Sequence, residues 1–154
     1  MKILGIDPGT TRLGYGVIET QASTMTMLDY GIIGLEAGSA TERLQEIHRE
    51  LTKLLKKVKP DRVGFEQLFF YNNQKTAMRV SQAMGVALLA AAQAHTLIFE
   101  YTPLQVKQTV TSSGSANKEQ VQAMVKMLLK LDHIPKPDDA ADALAVAITC
   151  GIRG

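Results

Sequence analysis

Residues 3–18 read ILGIDPGTTRLGYGVI, an apolar run that ends on Asp7, turns through Pro8 and Gly9, and resumes as a second apolar run. Two such runs around a Pro-Gly turn predict paired strands. A carboxylate at the end of a buried strand is costly unless something compensates its charge. What compensates Asp7 decides what the fold can do, and the residues that answer lie far downstream.

Outward from this stretch, KILGID, LGYGVIET and TMTMLDYGIIGL predict three strands joined by short polar or glycine-bearing hairpin connections. Ser39 and Glu42 have the spacing of a capping box. After them Leu44, Ile47, Leu51, Leu54 and Val58 recur at helical spacing up to Pro60. RVGFEQLFF predicts a fourth strand, residues 75–94 a long alanine-rich helix, and LIFEYTP a fifth strand. PLQVKQTV predicts a short helix. KEQVQAMVKMLLKL predicts an amphipathic helix with Val121, Met124, Val125, Leu128 and Leu131 inward, and DDAADALAVAITCGI a closing helix. The expected architecture is α/β: a five-stranded mixed sheet, strands 1–3 antiparallel, strands 4 and 5 joined by right-handed crossovers parallel to strand 1, flanked by helices. In such sheets, sites collect beyond the carboxyl ends of the parallel strands, where Asp7 stands.

At 154 residues, with 45% hydrophobic and 21% charged residues, the chain is expected to fold as one domain over residues 1–154 without staples. Neither a repeat nor a low-complexity linker divides it. The net charge of +2 permits a nucleic-acid partner without arguing for one. The single cysteine, Cys150, excludes an internal disulfide and a cysteine-based metal site, and its apolar helix reads as core. The start shows no basic region followed by a long apolar segment, and GVALLAAA is too short to span a bilayer. A soluble, cytoplasmic protein is expected.

Four acids come from different segments: Asp7, Glu66 in VGFEQLFF, and a pair from Asp138, Asp139 and Asp142 in PDDAADAL. On a helix either 139 and 142 or 138 and 142 share a face. Ala140 and Ala141 add no bulk, so this end of the helix can approach the sheet closely. Asp138, after Pro137, has the place of an N-cap. An oxygen-only donor set suits Mg²⁺ or Mn²⁺ rather than zinc. Two such ions, about 3.5–4 Å apart, can activate a water and stabilise the leaving oxygen of a phosphodiester. Without cations the acids would repel one another strongly. Spacing alone stops at a two-metal nuclease or phosphotransferase.

GIDPGTTRLGYGVI, FEQLFF, VKQTVTSSGSANKEQVQ and DAADALAVAIT, in this order and spanning nearly the whole chain, resemble the RuvC family of Holliday-junction resolvases. The resemblance implies a ribonuclease-H-like fold and a homodimer that nicks two opposed strands of four-way junction DNA, with branch-migration helicase proteins as a further partner. It implies two Mg²⁺ ions, for which Mn²⁺ can substitute, held by Asp7, Glu66, Asp139 and Asp142, with Asp138 left as a cap. The implied products are 5′-phosphate and 3′-hydroxyl ends. Lys107 in QVKQT and Lys118 in GSANKEQ match basic positions that hold the DNA backbone. Read from the helix alone, Lys118 in a first turn opposes the dipole unless an anion arrives. Phe69, Phe70 and Tyr71 cannot all face one core from a strand. Phe69 matches an aromatic that wedges into the junction, and stacking on an unpaired base is a use for it.

Met84 in SQAMGV stands where the family pattern leads one to expect arginine, which puts one possible DNA or dimer contact in question. The chain also stops at Gly154, directly after its last helix, where many members continue with a polar tail. GIDPGTT resembles, too, the first phosphate loop of actin-like sugar kinases, which share the core fold. Those proteins need a second domain and a second such loop, and no further Asp-x-Gly-Thr stretch occurs. A junction-binding protein without catalysis and a ribonuclease of the same fold are the other rival readings.

Overall fold

Alternation along the first strand sorts the molecule into two layers. In the computed structural model, which describes residues 1–34, 37–68 and 74–154, β1 spans Lys2–Pro8. Its Leu4 and Ile6 enter one core, and Ile3 enters the other on the opposite face. β2 (Arg12–Gln21), β3 (Thr24–Gly34), β4 (Arg62–Glu66) and β5 (Leu97–Tyr101) complete a sheet of order β3-β2-β1-β4-β5. The first three strands pair antiparallel, and β1 with β4 and β4 with β5 pair parallel, as the sequence predicts. Gly9 N–H donates to the Arg12 carbonyl at 2.9 Å, closing a tight hairpin with Thr10 and Thr11 at its tip. The Thr-Thr pair therefore belongs to a hairpin connection.

Helices α1 (Ala40–Val58) and α2 (Gln74–Gln93) cover the face of Leu4 and Ile6. The capping box forms, Glu42 N–H donating to Ser39 Oγ at 3.2 Å and Ser39 N–H to Glu42 Oε2 at 2.6 Å. The other face carries α5 (Asp138–Arg153), with α3 (Pro103–Thr111) and α4 (Lys118–Leu128) packed over it. Covered on both sides, α5 is buried all round from Ala143 to Cys150, which explains its lack of a polar stripe. Among the described residues no helix is long and apolar enough to cross a membrane.

A row of glycines lets α5 lie against the strand backbones. Gly5 pairs with Gly16 on one side and Gly64 on the other. A Cβ on Gly5 would stand 2.1 Å from the Ala143 carbonyl oxygen, and one on Gly14 would stand 2.0 Å from that of Asp139. Glycine inside a strand commonly marks such an approach of another backbone. The small residues expected of the helix are there: Ala140 and Ala141 are buried.

Three expectations need correcting. β4 ends at Glu66, so Glu66 is its last residue and Leu68 lies beyond it; Phe69, Phe70 and Tyr71 fall outside the described residues. Apolarity after Glu66 marks contact with the core, which Leu68 makes, rather than ladder pairing. α4 ends at Leu128; beyond it Leu129 is buried, and Leu131 packs against the same core from outside the helix. Lys130, at φ 53°, turns the chain left-handed there. Asp138 is no cap: Pro137 occupies the N-cap position and no side chain caps the helix.

Candidate active site

The same two-residue period brings the acids together. Ile3, Gly5 and Asp7 share the α5 face of β1, as do Gly64 and Glu66 on β4. Ile6 pairs with Phe65, so Asp7 and Glu66 each follow a paired residue at the carboxyl ends of adjacent parallel strands. The N-terminal part of α5 lies over this face and supplies Asp139 from its first turn and Asp142 from the next. Glu66, Lys107, Lys118 and Asp142 line one cleft between the end of β4 and helices α3, α4 and α5.

Cap chemistry fixes the two lysines' helices. Thr102 and Gln105 form a capping box at the start of α3, which carries Lys107. Asn117 and Gln120 form another at α4, placing Lys118 as its first residue. Lys118 Nζ lies 3.0 Å from Asp142 Oδ2 and 3.5 Å from Asp138 Oδ2. Its unfavourable place at a helix N-terminus is thereby offset by two carboxylates. Asp138 itself accepts from Gln122 Nε2 and Lys136 Nζ, both at 3.1 Å, which is where its side chain goes instead of capping.

The charges are strongly coupled. Burial, then the neighbouring Glu66, Asp142 and Asp139, pushes the Asp7 carboxyl up to about 8, against a partial pull from Lys118. Burial, then Asp142, pushes Glu66 up to about 7, with Lys107 and Lys118 pulling back. Burial raises Asp142 as well and outweighs its bridge to Lys118. Burial disfavours the Lys118 charge, yet its hydrogen bond and attraction to Asp142 and Asp138 hold it above the usual lysine value.

Among the described residues neither Asp7 nor Glu66 receives a hydrogen bond or ion pair from another side chain. Two half-buried carboxylates whose mutual repulsion the nearby lysines offset only in part fit a hard divalent cation, and the all-oxygen donor set fits in kind. Asp139 is engaged by Arg12, Nε to Oδ2 at 2.9 Å, as Asp142 is by Lys118. In this arrangement no three described acidic, histidine or cysteine side chains enclose an ion.

Arg12 is the site residue that the sequence reading missed. It lies on β2 two residues before Gly14, on the face toward α5, and strand alternation from the glycines would have found it. Phe69 lies outside the described residues. Met84 is 7% exposed within the core between α2 and the sheet, so its side chain serves packing rather than DNA.

Raised carboxyls make stability pH-dependent in a definite direction. Unfolded, Asp7 and Glu66 return toward 3.8 and 4.5, so the unfolded chain releases protons that the folded chain keeps. With divalent ions chelated, the thermal midpoint is expected to fall from about pH 5 to about pH 8 and level off above. Asp7→Asn should remove much of that fall. A flat wild-type profile over this window would show the two acids ionised and compensated within the protein itself.

A family model described as Crossover junction endodeoxyribonuclease RuvC matches residues 3–150. The protein of that description from Alkaliphilus oremlandii is 55% identical over 149 residues, 96% of this chain and 91% of that protein. The structure of Thermus thermophilus RuvC in complex with a Holliday junction substrate superposes with a TM-score of 0.91 at 38% identity, covering 97% of this chain and 92% of that one. The yeast mitochondrial Holliday junction resolvase Ydc2 superposes at 0.70 with 12% identity, over 96% of this chain and 76% of that one, a likeness of fold. The sheet and its flanking helices thus form the ribonuclease-H-like fold that the sequence led us to expect.

Proposed function

Because the chain belongs to the RuvC family of crossover junction endodeoxyribonucleases, we propose that it is a structure-selective endodeoxyribonuclease that resolves four-way DNA junctions by nicking two opposed strands. The observation that carries this reading is the convergence of Asp7, Glu66, Asp139 and Asp142 on one sheet face, flanked by Lys107 and Lys118. Nucleases of this family are metal-dependent. We assign the four acids to two Mg²⁺ ions, with Mn²⁺ able to substitute. Such ions, when bound, supply activation of a water for in-line attack and stabilisation of the leaving oxygen. The protein's own contribution is to hold the oxygen donors of the four acids on rigid elements.

Lys107 and Lys118 stand at the rim of the acid cluster and are assigned to the phosphate backbone. Removing one lysine–phosphate interaction should flatten the dependence of log binding on log salt by about one unit. Junction binding by Lys107→Ala, titrated from low to moderate salt, is expected to weaken and to show that shallower slope. Lys118→Ala should do the same and also leave Asp142 without its cation. An unchanged slope in both would remove them from the DNA surface. Phe69 keeps its assignment to base stacking in the junction.

Two opposed nicks call for two sites, and we propose a homodimer. The exposed side of α2 carries Met78, Gly85 and Leu89, a surface with a small residue between two large apolar ones, suited to a second copy of the helix. Residues 1–154 act as one nuclease domain, in the cytoplasm, with a branch-migration helicase complex as a further partner. The substrate assignment is tested by offering a synthetic four-way junction, the matched linear duplex and an RNA–DNA hybrid of the same sequence. Paired nicks in the junction alone are expected. Preferential cutting of the hybrid would make the chain a ribonuclease of the same fold.

A further inference from the structure

The hairpin that carries Asp7 also reaches across to the helix that carries Asp139. Arg12, the first residue of β2, places Nε 2.9 Å from Asp139 Oδ2, and the two side chains are 36% and 34% exposed. The contact joins residues 127 apart in sequence. Asp139 Oδ1 has no hydrogen-bond partner among the described residues. One oxygen is therefore held and the other left available.

We propose that Arg12 is the positioning residue for Asp139, fixing the carboxylate through Oδ2 so that Oδ1 is presented to a divalent cation. The proposal deepens the metal assignment above and rests on it. Three features of the fold favour it. The first turn of α5 has no side-chain cap, and uncapped helix starts are prone to fray. Asp139 lies in that turn, so its carboxylate needs fixing from outside the helix. β2 supplies the fixing twice: the bare backbone of Gly14 seats the Asp139 carbonyl, and Arg12, two residues earlier on the same strand face, holds the side chain. Finally, β2 is laddered to β1, Asp7 pairing with Gly14 and Pro8 with Leu13. Arg12 thus ties Asp139 to the strand pair that carries Asp7, fixing the two acids relative to each other. A planar guanidinium is suited to this, since its donors are set in direction, whereas a lysine ammonium acts as a point charge.

The sign of one measurement separates positioning from simple electrostatics. Arg12 is a cation beside a cation site, so as a bare charge it opposes metal, and its removal should tighten binding. As a positioning group it should do the reverse, because outer partners of ligating carboxylates typically contribute ~10–100-fold in metal affinity. The test is Mn²⁺ binding without DNA, read from the free-ion electron paramagnetic resonance signal, for the wild type, Arg12→Met, Arg12→Lys and Asp139→Asn. Circular dichroism in EDTA checks that each variant folds. Arg12→Met is expected to weaken Mn²⁺ binding by about tenfold or more, and Arg12→Lys, which keeps a donor without the fork, to fall between it and the wild type. Unchanged or tighter binding in Arg12→Met would overturn the proposal, while weakening in Asp139→Asn would show the metal assignment still standing. If Asp139→Asn leaves binding unchanged, both are overturned. Should Arg12→Met fail to fold, Arg12→Lys decides alone: binding equal to or tighter than wild type overturns the proposal.

Discussion

Asp7→Asn is expected to reduce junction cleavage by more than about a hundredfold, the scale of losing one preorganised charged group, while junction binding stays close to that of the wild type. The substitution keeps the shape of the side chain and removes its charge. Asp7 faces α5 from the end of β1 and feels Glu66, Asp142 and Asp139 together, more than any other acid in the cluster. The lysines assigned to the backbone lie on α3 and α4 and are untouched by the change. The same physics predicts a second sign: relieved of burial and repulsion, the variant should be more stable than the wild type near pH 8 in EDTA. A more stable but inactive protein is the signature of a group held against its own preference for function. An active Asp7→Asn variant in Mg²⁺, or one that no longer binds junctions, would remove Asp7 from the metal set.

Gly5→Ala should be nearly as damaging, through geometry rather than charge. The added Cβ would stand 2.1 Å from the Ala143 carbonyl oxygen and 2.5 Å from the Ala147 nitrogen, both helix backbone atoms that no rotamer change can move. α5 must lift, and Asp139 and Asp142 lift with it. Overpacking of this kind typically costs about 1–3 kcal/mol, and a displacement of about an ångström at the chemistry can cost about a hundredfold in rate. Chemical denaturation and junction cleavage should both register the change. Wild-type values in both would mean that the helix does not rest on the strand backbones.

Most of what positions this site was legible in the sequence, because it rests on two periods. Hairpin punctuation and alternation set β1, β2 and β3, and helical spacing with a capping box set α1. The acids were legible by kind, since Glu66 amid apolar residues has no structural use. Which pair α5 contributes is not legible from spacing, because 139 and 142 share a helix face and so do 138 and 142. The family resemblance favoured Asp139 and Asp142, and the fold places Asp138 among Gln122, Lys136 and Lys118. β4 was read too long because apolarity reports burial, and burial continues past the last ladder bond. Gly5, Gly14, Gly16 and Gly64 all face α5, and four glycines facing one helix report how near its backbone lies. Arg12 opens β2 beside the hairpin turn, and a turn pattern carries no information about the direction of a side chain.

Asp7, Glu66, Asp139 and Asp142 would hold the divalent cations that junction cleavage requires. That assignment is tested most directly by incubating the wild-type protein with an end-labelled synthetic junction and its linear duplex counterpart, in Mg²⁺, in Ca²⁺ and in EDTA. The account predicts paired nicks on opposed strands of the junction in Mg²⁺, no cleavage in EDTA, and an uncut linear duplex throughout. Junction cleavage that persists in EDTA, or equal cutting of the linear duplex, would contradict it.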